Sequence, residues 1–181
     1  FRRADVLVIS KAGSAEPGAL AGIRERAAEL NPEAPLCTAD LEIQVDQPER
    51  LQGQRVLVIE DGPTVTHGGM SFGAGSVAAE RAGATPVDPR PYAVGTIRDT
   101  CEAYPHMTRI LPALGYSETQ REALAETINA CCEAENVGCI VDASPARLDL
   151  MLDLDVPLAR VAYRFRQIDG PALDKLVKKL I

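Results

Sequence analysis

The chain has 181 residues, a formal net charge of −7 and a sequence pI near 4.9. A length of this order supports a single core that buries roughly 70% of the unfolded surface, and the acidic balance argues against a nucleic-acid or anionic-membrane surface. No apolar run approaches the ~20 residues of a membrane span and no export signal opens the chain, so the expectation is a cytoplasmic protein with neither nucleic-acid nor membrane partners.

The five cysteines, Cys37, Cys101, Cys131, Cys132 and Cys139, are odd in number and lack C-x-x-C spacing. A disulfide framework and a structural zinc are both disfavoured, and buried thiols are expected instead. With no Trp and 4% aromatic residues, the core must be built from Val, Leu, Ile and Ala, the usual filling of an α/β sheet.

Ala4 to Ile9 forms the first apolar strand and runs into the turn Ser10-Lys11-Ala12-Gly13-Ser14. Pro17 starts a helix that continues to about Leu30, and Asn31-Pro32 stops it. Residues 35–45 begin apolar and then alternate, with Leu41, Ile43 and Val45 on one face, a pattern suited to a sheet edge or a protrusion. Val56 to Ile59 is a short, β-branched buried strand.

The character then changes at once. Glu60, Asp61, Thr64, Thr66, His67 and five glycines fall within the sixteen residues that end at Gly75. Such a composition suits an anion-binding loop at the C-terminal end of a buried strand. The helix after it, about Gly75 to Ala82, is expected to present free N–H groups back toward the loop.

Residues 84–87 make a short strand, at an edge because of Pro86, and lead into the proline-fixed segment Asp88-Pro89-Arg90-Pro91-Tyr92. A short helix over Gly95 to Ala103 precedes an irregular stretch, Tyr104 to Tyr116. Ser117-Glu118-Thr119-Gln120 caps the longest helix, about Glu118 to Glu133. Cys139 to Val141 is a buried strand that ends in Asp142-Ala143-Ser144-Pro145. A short helix near 146–152, a strand from Leu158 to Phe165 and a terminal helix from Pro171 to Leu180 complete the series.

Strands alternating with helices predict one α/β domain over 1–181. Its mostly parallel sheet is flanked by helices in a three-layer, P-loop or Rossmann-like arrangement. The polar clusters that follow the strands, Ser10-Lys11, Glu60-Asp61, Asp88-Arg90 and Asp142-Ser144, are then expected to converge on one crevice.

His67 is the candidate for proton transfer. Asp61, and to a lesser degree Glu60, are candidates for Mg²⁺. Arg90, clamped between prolines, is placed to hold a phosphate or carboxylate; His106 has no such neighbourhood and is set aside. No G-x-x-x-x-G-K-[ST] occurs, and Gly73-Ala74-Gly75 alone says little about dinucleotides. Nucleotide hydrolysis by this segment alone is therefore not expected.

The stretch V-L-V-I-E-D-G-P-T-V-T-H-G-G-M-S-F-G-A-G-S-V-A-A, continuing to V-D-P-R-P-Y-A-V-G-T-I, closely resembles the cyclic 2,3-diphosphoglycerate synthetase family and its bacterial relatives labelled predicted GTPases. The similarity runs from about Ala4 to about Val161. It implies ATP-dependent formation of an intramolecular phosphoanhydride in a small anionic phosphorylated acid, with Mg²⁺. Members of that family are longer, with a Rossmann-like region and a P-loop region ahead of this segment. The resemblance, together with a start at Phe1, thus implies the C-terminal part of a longer nucleotide-dependent enzyme.

The resemblance also implies site roles. Ser10, Lys11, Ala39 and Asp40 would border the nucleotide base, Asp61 would hold the metal, and Thr64, Thr66, His67, Gly68 and Gly69 would surround the transferred phosphoryl group. Arg90 and Tyr92 would hold the substrate. Where related GTPases carry N-K-x-D for guanine, this chain has Ser10-Lys11-Ala12-Gly13, so ATP is at least as well suited as GTP. A GTPase-type switch or metallochaperone, a non-catalytic ligand-binding domain, and a homo-oligomer remain alternatives at this level.

Overall fold

In the computed structural model, residues 1–114 and 117–180 are described, and the chain divides into two units, 43–162 and 1–42 with 163–181.

The larger unit is organised around β3, Arg55–Asp61, whose residues Val56 to Ile59 are fully buried. On one side, β6 (Cys139–Ala143) pairs with it in parallel, from Val56 opposite Cys139 to Glu60 opposite Ala143. Beyond β6 lies β7, Leu158–Asp169, again parallel. The other side of β3 is shared by two short parallel strands. β4 (Thr85–Pro86) covers Arg55 and Val56, while β5 (Leu111–Ala113) covers Ile59 to Asp61.

Side chains alternate across the sheet and fill two cores. Leu57, Ile59 and Ile140 pack against α4 (Gly95–Ala103), α5 (Glu118–Glu135) and α6 (Leu148–Met151) through Ile97, Leu124, Ile128 and Leu148. Val56, Val58, Cys139 and Val141 face α3 (Ala74–Arg81), where Ala78 and Ala79 allow a close approach, with Met107 and Ile110 beside it. The result is three layers, and burial on both faces explains why these strands are continuously apolar in the sequence. Each large aliphatic side chain so buried contributes roughly 1.5–3 kcal/mol. The capping box at the start of α5 forms as expected, with Gln120 N–H donating to the Ser117 hydroxyl (3.2 Å) and Ser117 N–H to Gln120 Oε1 (3.1 Å).

In the smaller unit, β1 (Leu7–Ile9) pairs in parallel with β2 (Leu36–Val45), from Leu7 opposite Leu36 to Ile9 opposite Thr38. α1 (Pro17–Leu30) is tied to β2 by Arg24 Nη2, which donates to the Thr38 hydroxyl at 2.6 Å. α7 spans Leu173–Leu180. β2 and β7 each contribute residues to both units.

Several boundaries differ from the sequence expectation. The first strand starts at Leu7, and β7 runs on to Asp169. The stretch expected to be irregular contains β5; L-P-A is too short to show a period, and its proline is tolerated because, among the described residues, β5 pairs with β3 alone. Gly115 and Tyr116, at the end of that stretch, lie outside the described residues. The loop after β3 opens with one helical turn, α2 (Gly62–Thr66), started by Pro63. Among the described residues no helix is long and apolar enough to cross a membrane. All five cysteines are free and buried.

Candidate functional site

The adjacent carboxylates at the end of β3 point to opposite faces and do different work. Glu60, 2% exposed, turns toward α3 and accepts hydrogen bonds from Ser76 N–H (2.8 Å), the Ser76 hydroxyl (2.9 Å) and Gly75 N–H (3.3 Å). A negative charge there satisfies the unpaired donors of a helix start and complements its dipole. The first turn of α3 therefore spends these N–H groups on Glu60 rather than offering them to a ligand. Gly73 is required for this, because a Cβ there would overlap the Glu60 carboxylate.

Asp61 turns the other way. Its Oδ2 accepts from the Thr64 hydroxyl at 2.8 Å, and its side chain lines a cavity of about 280 Å³ at the C-terminal ends of β3, β5 and β6. Among the described residues no group of three or more His, Cys, Asp or Glu is placed to hold a metal ion. Glu60 is engaged on the far face, and Asp61 is the carboxylate of the two that faces the cavity.

His67 follows α2 and is exposed, with its N–H on Pro63 O at 3.0 Å. The Thr66 hydroxyl donates to Gly62 O at 2.8 Å and lies 3.0 Å from His67 Nδ1. Since the single hydroxyl proton is committed to Gly62, Thr66 can only accept from the ring. In the neutral ring, Nδ1 then carries the proton and Nε2 is the basic nitrogen. Thr64, Thr66 and His67 thus share one turn. Gly68 and Gly69 follow it, and Gly69 adopts a left-handed φ of 61°.

Sequence reasoning passed over His106. Its Nε2 lies 2.8 Å from Val65 O, so the ring fastens the middle of this turn, while Tyr104 packs edge-on against it with centroids 6.1 Å apart. Only its place in a segment that returns to β3 could have signalled this, and that segment's strand was not legible.

Arg90 and Tyr92 are placed elsewhere in the larger unit. β4 pairs with the first two residues of β3, and Val87 N–H reaches Val56 O. The Asp88–Tyr92 segment therefore leaves the sheet about three residues short of Asp61, on the order of 10 Å along the strand. β5 fills the position beside the end of β3, so the expected convergence of this cluster with Asp61 does not occur at the strand ends.

Arg90 is also engaged, with Nε 2.8 Å and Nη2 2.5 Å from the two Asp88 oxygens. That guanidinium holds the Asp88 carboxyl below its ordinary range. The Tyr92 hydroxyl donates to Glu135 Oε1 at 2.7 Å. Asp142 and Ser144 do share the carboxyl end with Asp61. Fully buried Asp142 accepts at Oδ1 from Ser144 N–H (3.0 Å) and its hydroxyl (2.6 Å), Oδ2 has no partner, and burial pushes its pKa up.

Ser10, Lys11, Ala39 and Asp40 belong to the smaller unit. Lys11 takes a left-handed φ of 56°, which carries the chain from β1 into its turn. Gly13 packs directly on the Asp40 carboxylate, where a Cβ would overlap Oδ2, and Asp40 Oδ1 accepts from Leu41 N–H at 2.9 Å. The turn after β1 and Asp40 are thus adjacent. Ala39 is fully buried and can offer a ligand only its backbone.

No family model matches this chain. The arginine synthetase ArcE of Thermococcus kodakarensis (strain ATCC BAA-918 / JCM 12380 / KOD1) is 43% identical to it over 180 residues, covering 99% of this chain and 39% of that protein. The chain is similar to part of a synthetase. It spans about two fifths of the length of that relative. The matched region takes in the whole β3 turn, from Asp61 through His67 to Gly69. The relative's name agrees with the sequence resemblance on a synthetase and differs from it on the substrate.

Proposed function

We propose that this chain is one portion of a longer nucleotide-driven synthetase, and that the turn after β3 belongs to its reaction centre. The observation that carries this reading is the 43% identity to a synthetase, over nearly the whole chain and through that turn. In a reaction of this class, a substrate oxygen attacks the γ-phosphorus of ATP and the bond to the departing ADP breaks. A nitrogen or oxygen nucleophile then displaces the phosphate from carbon and gives up a proton. His67 Nε2, made the basic nitrogen by the Thr66 contact, is suited to take that proton. Thr64 and the backbone of Gly68 and Gly69 would face the phosphoryl group, and Mg²⁺ would arrive with the nucleotide, its ligands the phosphate oxygens and water together with one or two protein carboxylates.

The relative's name directs the substrate reading to an amino acid of the arginine type. The alternative, a phosphorylated acid that becomes a cyclic anhydride, would call on Arg90, whose guanidinium is held by Asp88. The test uses the longer polypeptide with ATP or GTP, ammonium and a panel of small amino acids and phosphorylated acids. Phosphate release in step with a new product, lost in His67→Ala with folding unchanged, supports the reading. Phosphate release without any product points to a nucleotide switch and overturns it, as does wild-type turnover in His67→Ala.

A further inference from the structure

The cavity beside Asp61 has an uneven lining. Leu114, Leu124, Pro145, Leu148 and Met151 make its walls, and Asp61 is the charged residue among the described residues that line it. Leu124 and Leu148 form a buried floor, and Met151 lies exposed at the mouth. The Asp61 carboxylate receives a neutral hydroxyl from Thr64, and among the described residues no salt bridge falls on it.

We propose that this cavity binds an aliphatic chain ended by a cationic nitrogen, ammonium or guanidinium. The stem would lie along Leu124, Leu148 and Met151, with the cation on Asp61. An anionic occupant would meet the carboxylate with no cation among these lining residues to offset it. A neutral one would leave a carboxylate half withdrawn from water without a charged partner. A cation with an apolar stem satisfies both surfaces, and a guanidinium can engage a carboxylate through two parallel hydrogen bonds. A volume of about 280 Å³ lies at the small end of ligand pockets, sized for one amino-acid-like molecule rather than a nucleotide. The proposal rests on the reading of the carboxyl end of β3 as a synthetase's substrate site, and it names the end of the substrate held there.

The test is calorimetric titration of the purified protein, without nucleotide, with arginine, agmatine and the neutral ureido analogue citrulline. Saturable binding of arginine and agmatine is expected, with citrulline at least tenfold weaker. Asp61→Asn, and Ala146→Phe as a plug on the cavity wall, should each weaken the cations at least tenfold while circular dichroism and Tm hold. Absence of binding, or wild-type affinity in both variants, overturns the proposal. Should Asp61→Asn fail to fold, the ¹³C-methyl resonance of Met151 in the wild type decides the matter: a saturable shift with arginine supports the site, and no shift refutes it. Nucleotide-driven turnover without cation binding removes this proposal and leaves the synthetase reading standing. Cation binding without turnover does the reverse.

Discussion

His106 Nε2 lies 2.8 Å from the carbonyl oxygen of Val65, across 41 residues of sequence. A carbonyl can only accept, so Nε2 carries the proton, and the ring pins the helical turn that presents Thr64, Thr66 and His67. His106→Ala should lower stability by about 1–2 kcal/mol in urea unfolding, the cost of an intramolecular hydrogen bond and the unmet acceptor it leaves. Amide exchange should quicken over residues 62–69 in particular. His106→Gln, which retains a donor, should recover part of both effects. Unchanged exchange in His106→Ala would show that the contact does not hold the turn.

Gly73 stands against the Glu60 carboxylate, which in turn holds the start of α3. Gly73→Ala forces either the carboxylate or the chain to move, at a cost of about 1–3 kcal/mol. Chemical denaturation measures this directly. Gly22→Ala provides the control for an added Cβ without a clash, since open space surrounds that position.

Burial raises the pKa of Asp142 above the ordinary carboxyl range. The folded state therefore keeps a proton that the unfolded chain releases near pH 4. By linkage, the stability is full below the unfolded value and is lost progressively as pH rises through the folded value. Asp142→Asn removes this titration while its amide oxygen can still accept from Ser144. Its stability relative to wild type should therefore climb as pH increases from 4 and then level off. Urea midpoints at pH 4, 5.5 and 7.5 test the sign, and a gap that widens toward low pH would contradict it.

All five thiols are buried, and burial pushes Cys131 and Cys132 up to about 12. A disulfide exchange reagent at pH 8 should label no cysteine rapidly in the native protein and all five in urea. Rapid native labelling at either α5 position would mean that the helix opens locally.

Ser117→Ala deletes one half of the reciprocal cap on α5 and should cost about 1 kcal/mol, read from the unfolding midpoint. Ser117→Asp should restore most of the loss.

What could be read from the residues alone tracks how local the determining physics is. The run Val56 to Ile59 is apolar at every position because both faces of β3 are covered, and Ser117 with Gln120 announces α5 through contacts three residues apart. β5 was not legible, since three residues with a proline carry no period and the pairing partner lies fifty residues earlier. A separation of 41 residues likewise hid His106, whose role depends on where Val65 comes to rest. Glu60 and Asp61 fall on opposite faces by strand alternation, but the donor set awaiting Glu60 at Gly75 and Ser76 appears only once α3 is folded back. Arg90 was singled out for its flanking prolines, whereas the acid two residues before it decides what the guanidinium does.

The shared outer edge of β3 has a further implication. The backbone quits that edge after Pro86 and rejoins it at Leu111, so everything in between is an excursion anchored at both ends by the same rail. The ladder dictates where the detour departs and lands but not how long it is. Extra residues spliced at the solvent-facing pair Thr108–Arg109 would lengthen the path without breaking any rung, which makes this the natural socket for grafting an additional module onto the protein.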